Sequence, residues 1–126
     1  MIVVDTSALV AILKREPLRD ACIEALDQNR VCMSAGTLVE CFVTAEWNRV
    51  GGEMRRMIEA LAPQIIPVTE ETAQQAHLAY KRWGKGVHPA SLNFGDCFAY
   101  AVARQEKLPL LFVGNDFSQT DIESVL

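Results

Sequence analysis

The chain opens on four apolar residues, Met1-Ile2-Val3-Val4, and turns abruptly polar at Asp5-Thr6-Ser7. A strand with one wet face alternates apolar and polar side chains, whereas a run with no polar partner face fits a strand covered on both sides in a parallel α/β sheet. In open sheets of that kind ligands collect just beyond the carboxyl ends of the strands, and Asp5 stands at such an end. Three further acids recur in comparable settings: Glu40 inside an apolar helix, Asp96 at a helix start and Asp116 after the last apolar run. If the four converge, they form a site for a divalent cation.

The rest of the chain supplies the alternation that such a sheet requires. Helices are expected over Ala8–Arg15 and from Pro17, a residue suited to a helix's first turn, to about Gln28. Arg30–Ser34 reads as a second strand. Ala35–Val50 carries apolar residues at 35, 38, 39, 42 and 43, a helical period, and Gly51-Gly52 is expected to stop it. A helix over Glu53–Leu61 leads to a third strand, Ile65–Val68, placed at the periphery because Pro67 has no N–H for a ladder. Glu70–Trp83 is helical and Gly84–Leu92 is the longest loop. Asn93–Lys107 is the last long helix, Leu110–Val113 the last strand, and Gly114-Asn115-Asp116 closes it. Strands alternating with helices imply a mostly parallel sheet covered on both faces.

Length, charge and cysteines narrow the class. At 126 residues, half of them hydrophobic, the chain is expected to form one domain, residues 1–126. A net charge of −4 gives little long-range attraction for a polyanion, so nucleic-acid binding must be local or metal-assisted. Cys22, Cys32, Cys41 and Cys97 form no CxxC pair and sit in apolar patterns, which fits reduced thiols and a cytoplasmic location. No basic leader precedes the first apolar stretch and no run approaches the ~18 apolar residues of a membrane span, so no membrane association is expected.

Each acid has an ordinary explanation. Asp5 and Asp96 suit helix capping, Asp96 lying three residues after Asn93 as in a capping box, and Asp116 in Gly-Asn-Asp-Phe is common turn chemistry. Glu40 differs, because nothing at mid-helix asks for an acid beside Val39 and Cys41. At 100° per residue it falls just past the edge of the apolar arc, while Glu46 lies nearer the arc's centre, and periodicity alone leaves the two as rivals. Jointly the acids say more. Carboxylates a few ångströms apart cannot all ionise without counter-charge, so a cluster raises pKa values or binds a hard cation. An all-oxygen set suits Mg²⁺ or Mn²⁺, and two histidines without HxxH or CxxC argue against zinc. Thr6, Ser7 and Thr37 are hydroxyls near the same edge that could orient a water or an acidic ligand, and each is equally an ordinary helix-start residue.

Four stretches, Ile2-Val-Val-Asp-Thr-Ser-Ala-Leu9, Thr37-Leu-Val-Glu40, Leu92-Asn-Phe-Gly-Asp-Cys-Phe-Ala-Tyr-Ala101 and Leu111-Phe-Val-Gly-Asn-Asp-Phe-Ser-Gln-Thr-Asp121, together resemble a PIN-domain protein. More narrowly the chain resembles the VapC-type toxins of bacterial type II toxin–antitoxin pairs. The resemblance spans the whole chain and implies a three-layer α/β/α fold with Mg²⁺- or Mn²⁺-dependent endoribonuclease activity. It matches Asp5, Glu40, Asp96 and Asp116 to the family's acidic quartet, with Asp5 and Asp96 as direct ligands, and so favours Glu40 over Glu46. Asp121 stands close to the fourth acid as a rival, and Asn115 occupies a place where some relatives carry an acid. The resemblance further implies in-line hydrolysis with a 3′-hydroxyl leaving group, an antitoxin of the VapB type as partner, and tRNA or rRNA as substrate.

RNA must still reach an acidic site. The nearest basic supply is Lys14 and Arg15 with Arg19, and Lys81, Arg82 and Lys85 with His88, although such runs are commonly solvated helix faces. Trp47 and Trp83 could stack on a base, with core packing as their ordinary use. Apolar helices on either side of Gly51-Gly52 are expected to expose a groove, with a homodimer as the assembly and an antitoxin segment covering the groove. Two other classes stay open: a silent binding module whose acidic pocket captures a basic peptide, and a phosphoryl-transfer enzyme using Asp5. A haloacid-dehalogenase-type phosphatase would want Asp-x-Asp at the first strand, and residue 7 is Ser.

Overall fold

The computed structural model describes residues 1–126. In chain order the elements are β1 (Ile2–Val4), α1 (Thr6–Leu13), α2 (Arg19–Gln28), β2 (Val31–Ser34), α3 (Ala35–Trp47), α4 (Gly51–Leu61), β3 (Gln64–Ile66), α5 (Glu70–Trp83), α6 (Phe94–Glu106) and β4 (Leu110–Leu111), followed by a short 3₁₀ turn at Phe117–Gln119. The strands form one sheet in the order β3-β2-β1-β4, every pair parallel, in register Ile2 with Val31, Val3 with Leu110 and Met33 with Ile65.

The apolar opening run is explained by what lies on each side of it. Val3 and Cys32 point into a core built with Trp83 of α5 and Val102 of α6. Ile2, Val4, Val31 and Met33 point the other way, into a core built with Leu9, Cys22, Cys41, Met54 and Ile58 of α1 to α4. Successive strand residues alternate between two dry faces, so β1 and β2 carry no polar side chain until Ser34, the last residue of β2, whose hydroxyl caps α3 by accepting from Gly36 N–H. The result is the expected three-layer α/β/α arrangement. Beyond β4 the tail continues the pairing, Leu110 N–H donating to the Glu123 carbonyl at 2.9 Å and Val125 N–H to the Leu110 carbonyl at 3.1 Å, which covers that edge.

Several boundaries differ from the sequence reading for local reasons. The α1 helix starts at Thr6, two residues earlier than its apolar pattern, because Asp5 caps it through its side chain. Pro17 lies in a turn before α2 rather than within it. Gly51 and Gly52 do not stop α3 but open α4; α3 has already ended at Trp47, and Arg49 makes the turn with φ +59°. The third strand is the edge strand Gln64–Ile66, so Pro67 lies just past the ladder, where its missing N–H is harmless. The chain from Gly84 to Leu92 is clipped at its base, Lys85 N–H donating to the Leu92 carbonyl at 2.9 Å and Leu92 N–H to the Trp83 carbonyl at 3.0 Å.

Topology positions the acids. From β1 the chain steps outward through β2 to β3 and then crosses back to place β4 on the other side of β1. The crevice between β1 and β4 is the switch point of the sheet, where ligands of doubly wound folds bind. The helices α1 and α3 leave the carboxyl ends of β1 and β2. The helix α6 feeds parallel β4 and therefore starts at that same edge.

Candidate active site

Asp5 follows β1 and is 3% exposed. Its Oδ2 accepts from Ser7 N–H at 3.0 Å and from Ser7 Oγ at 2.6 Å, while its Oδ1 is buried without any hydrogen-bond partner. Ser7 Oγ also accepts from Val113 N–H at 3.0 Å, so one hydroxyl ties the end of β1 to the segment leaving β4 across the switch point. Burial pushes the Asp5 carboxyl above its ordinary range against the pull of the Ser7 hydrogen bonds, and the Asp116 charge pushes it further.

Glu40 is held from α1. Thr6 Oγ1 donates to Glu40 Oε1 at 2.6 Å and accepts from Cys41 Sγ at 3.5 Å. Burial raises the Glu40 carboxyl, the Thr6 hydrogen bond lowers it, and the Asp5 charge raises it again. The same surroundings push the Cys41 thiol up to about 12, which makes it an inert packing group. All four cysteines are free and buried, as the sequence indicated.

Asp96 completes a full capping box: its backbone N–H donates to Asn93 Oδ1 at 2.9 Å and its Oδ2 accepts from Asn93 N–H at 2.9 Å. The capping explanation is therefore true of Asp96 and Asp5, and it does not exhaust either. Burial pushes the Asp96 carboxyl up to about 7, the Asn93 N–H opposes this, and the charges of Asp5, Asp116 and Glu40 all add to it. Asp116 is exposed at the start of the 3₁₀ turn with no side-chain cap, after Gly114 at φ +112°, and its charge reaches both Asp5 and Asp96. Four acids remote in sequence thus share one electrostatic neighbourhood. No three of them stand as a ready-made cation cage.

The rivals are accounted for elsewhere. Glu46 is exposed and its carboxylate lies against Gly51, with Cδ 3.1 Å from where a Cβ would be, so it complements the start of α4. Asp121 takes part in a separate network. Its Oδ1 accepts from Tyr100 OH at 2.7 Å, which accepts from Trp83 Nε1 at 3.0 Å, and its Oδ2 lies 3.7 Å from Arg82 and 3.5 Å from Arg104. Asn115 is exposed, its carbonyl accepting from Ser118 Oγ at 2.7 Å. Thr37 is fully buried with an unpartnered Oγ1.

The basic residues divide. Lys14 and Arg15 follow α1, whose eight residues put about 12 Å of helix between them and Asp5. Lys81 is exposed at the end of α5, and Arg82 there stacks over Trp83 at 4.5 Å besides facing Asp121. Lys85 lines a cavity of about 680 Å³ with Asn93 and Phe94, at the start of the helix that carries Asp96. Trp83 is a core residue, as expected, but Trp47 is not: it is 84% exposed at the end of α3. Phe94 and Gly95 flank the cluster, and the only local signal for them in the sequence is a glycine beside a capping acid.

Comparison with known proteins identifies the family. The family model described as PIN domain matches residues 2–123. Ribonuclease VapC28 of Mycobacterium tuberculosis is 40% identical over 129 residues, covering 98% of this chain and 97% of that protein. Among solved structures, Mycobacterium tuberculosis VapC20, described as a sarcin-ricin loop cleaving toxin, superposes with a TM-score of 0.79 at 18% identity, covering 99% of this chain and 98% of that one. A toxin–antitoxin complex from Klebsiella pneumoniae gives a TM-score of 0.70 at 20% identity, covering 96% and 93%. With the family model matching nearly the whole chain and relatives about 40% identical over almost their full length, the chain belongs to the PIN-domain family, in the branch of the VapC ribonucleases.

Proposed function

We propose that this protein is a divalent-cation-dependent endoribonuclease, the toxin of a toxin–antitoxin pair, and that Asp5, Glu40, Asp96 and Asp116 form its catalytic site. The observation that carries the proposal is Asp5 Oδ1: a carboxylate oxygen buried without a hydrogen-bond partner, in the field of other acids, calls for a cation. The all-oxygen donor set fits Mg²⁺ or Mn²⁺. Such an ion commonly keeps several waters and takes one or two carboxylates directly, a number that Asp5 and Asp96 supply.

Asp5 and Asp96 would hold the ion. When bound, it supplies a more acidic water and stabilises the charge that develops on a phosphoryl oxygen. The protein's own part is positional. Ser7 fixes the rotamer of Asp5, leaving Oδ1 free, and the capping box fixes Asp96. Glu40, raised above its ordinary range and held by Thr6, serves with Asp116 to orient the attacking water or accept its proton. Lys85 and the exposed Phe94 ring beside Asn93 give an RNA strand a cationic and a stacking contact on the Asp96 side.

The partner surfaces follow from exposed apolar area. Val39, Val43 and Trp47 line one side of α3 at 61%, 52% and 84% exposure, and this face joins two copies in a homodimer. A separate apolar groove between α2 and α4, lined by Ile23, Leu26, Met57 and Leu61, receives an antitoxin segment of the VapB type.

Cleavage of tRNA and rRNA fragments with Mg²⁺ or Mn²⁺, with and without chelator, tests the reading. Metal-dependent internal cuts are expected, abolished by EDTA. Intact RNA under all metal conditions, with the protein folded, would sink it and leave a binding module.

A further inference from the structure

We infer that Gly95 is a positioning residue for Glu40: the missing side chain at 95 is the slot that lets the Glu40 carboxylate enter the acidic cluster. The backbone does not need glycine there. Gly95 is the second residue of α6, its φ is not in the left-handed region, and glycine is among the weakest helix formers. What the position needs is space. A Cβ on Gly95 would overlap Glu40 Oε2 and lie 2.5 Å from Cδ and 3.1 Å from Oε1. From the other side Thr6 Oγ1 holds Oε1 at 2.6 Å. The residue after Asp5 and the residue before Asp96 therefore grip the third acid between them, which is why Glu40 shares the neighbourhood although it comes from mid-helix.

The obstructed group decides what a substitution does. The atoms a Cβ would strike are the tip of a flexible side chain, which can swing away, so Gly95→Ala folds and expels Glu40 from the slot. It loses the Thr6 hydrogen bond and gains helix propensity, so the change in stability depends on whether Glu40 is present.

The test has two arms, of which only the second rests on the nuclease reading. First, native protein, Gly95→Ala, Glu40→Ala and the double variant are melted without metal. Alanine at 95 is expected to raise Tm by at least about 2 °C more in the Glu40→Ala background than in the native one, because only the native background has a carboxylate to displace. Second, RNA cleavage is measured with Mn²⁺. Gly95→Ala is expected to lose at least about 30-fold, and Glu40→Asp/Gly95→Ala to recover about fivefold over Gly95→Ala, the shorter acid clearing the new methyl. Additive melts, or a Gly95→Ala protein that cleaves within about threefold of native, would overturn the inference. If Gly95→Ala fails to fold, a folded Glu40→Ala/Gly95→Ala supports the slot and an unfolded one overturns it. Should native protein cleave no RNA, the nuclease reading fails and the melts alone decide about Gly95.

Discussion

At the scale of single residues, the cluster sets stability against charge. Asp96 keeps its proton up to about 7 in the folded chain against an ordinary value of 3.8, so between those values the native state binds more protons than the unfolded one. Stability without metal should therefore fall as pH rises through that window, and the raised Asp5 and Glu40 act in the same direction. Thermal melts in EDTA are expected to give a higher Tm at pH 5.5 than at pH 8, a difference that Mg²⁺ or Mn²⁺ narrows by binding the ionised acids. A Tm that rises with pH would contradict the shared field. Asp5→Asn or Asp96→Asn keeps a capping oxygen but removes a charge. Metal-dependent cleavage should fall by at least about a hundredfold while Tm without metal stays level or rises. An Asp96→Asn protein that cleaves RNA at the native rate would remove Asp96 from the site.

At the scale of elements, the crossing of α3 and α6 brings the site together, and it is close because glycines allow it. A Cβ on Gly36 of α3 would lie 2.6 Å from Phe98 Cγ and 2.7 Å from its Cδ1. Unlike the tip of Glu40, this is the root of an aromatic ring, already packed edge to face on Phe94 with centroids 5.2 Å apart. It cannot step aside cheaply. Gly36→Ala is accordingly expected to cost about 1 to 3 kcal/mol as an overpacking substitution, read as a lower urea midpoint with unchanged m. Two glycines that both leave no room for a Cβ thus predict different phenotypes, loss of stability at 36 and loss of activity at 95. A Gly36→Ala protein as stable as native would show that the helices can separate freely.

At the scale of the molecule, negative charge gives this domain little long-range attraction for RNA, so the cation and the Phe94-side contacts proposed above would have to act locally. No helix is long and apolar enough to cross a membrane. The Val39, Val43 and Trp47 face of α3 leaves three large apolar side chains in water. Light scattering at micromolar concentration is expected to give a dimer for native protein and a monomer for Val43→Glu, which would bury a charge in the proposed interface. A native monomer, or a Val43→Glu dimer, would place the interface elsewhere.

Much of this was legible in the chain itself because it depends on local pattern. A strand dry on both faces announces a parallel sheet, and acids at strand ends and helix starts announce where a site would be. The bounds of α5, Glu70–Trp83, and the burial of the four cysteines are as the local sequence indicates. What periodicity could not decide was which of Glu40 and Glu46 faces the other acids, because both lie near one arc and only the packing of α3 on α1 and α6 distinguishes them. It gave no reason for Trp47 to lie outside the core, since nothing local says which side of a helix is left uncovered. Nor could it show that Asp121 belongs to Tyr100 and two arginines, or that Gly95 leaves room for an acid fifty-five positions earlier. Local sequence determined the elements and the kinds of chemistry at their ends; only the tertiary structure decided which ends meet, because contact between distant residues is a property of packing and not of pattern.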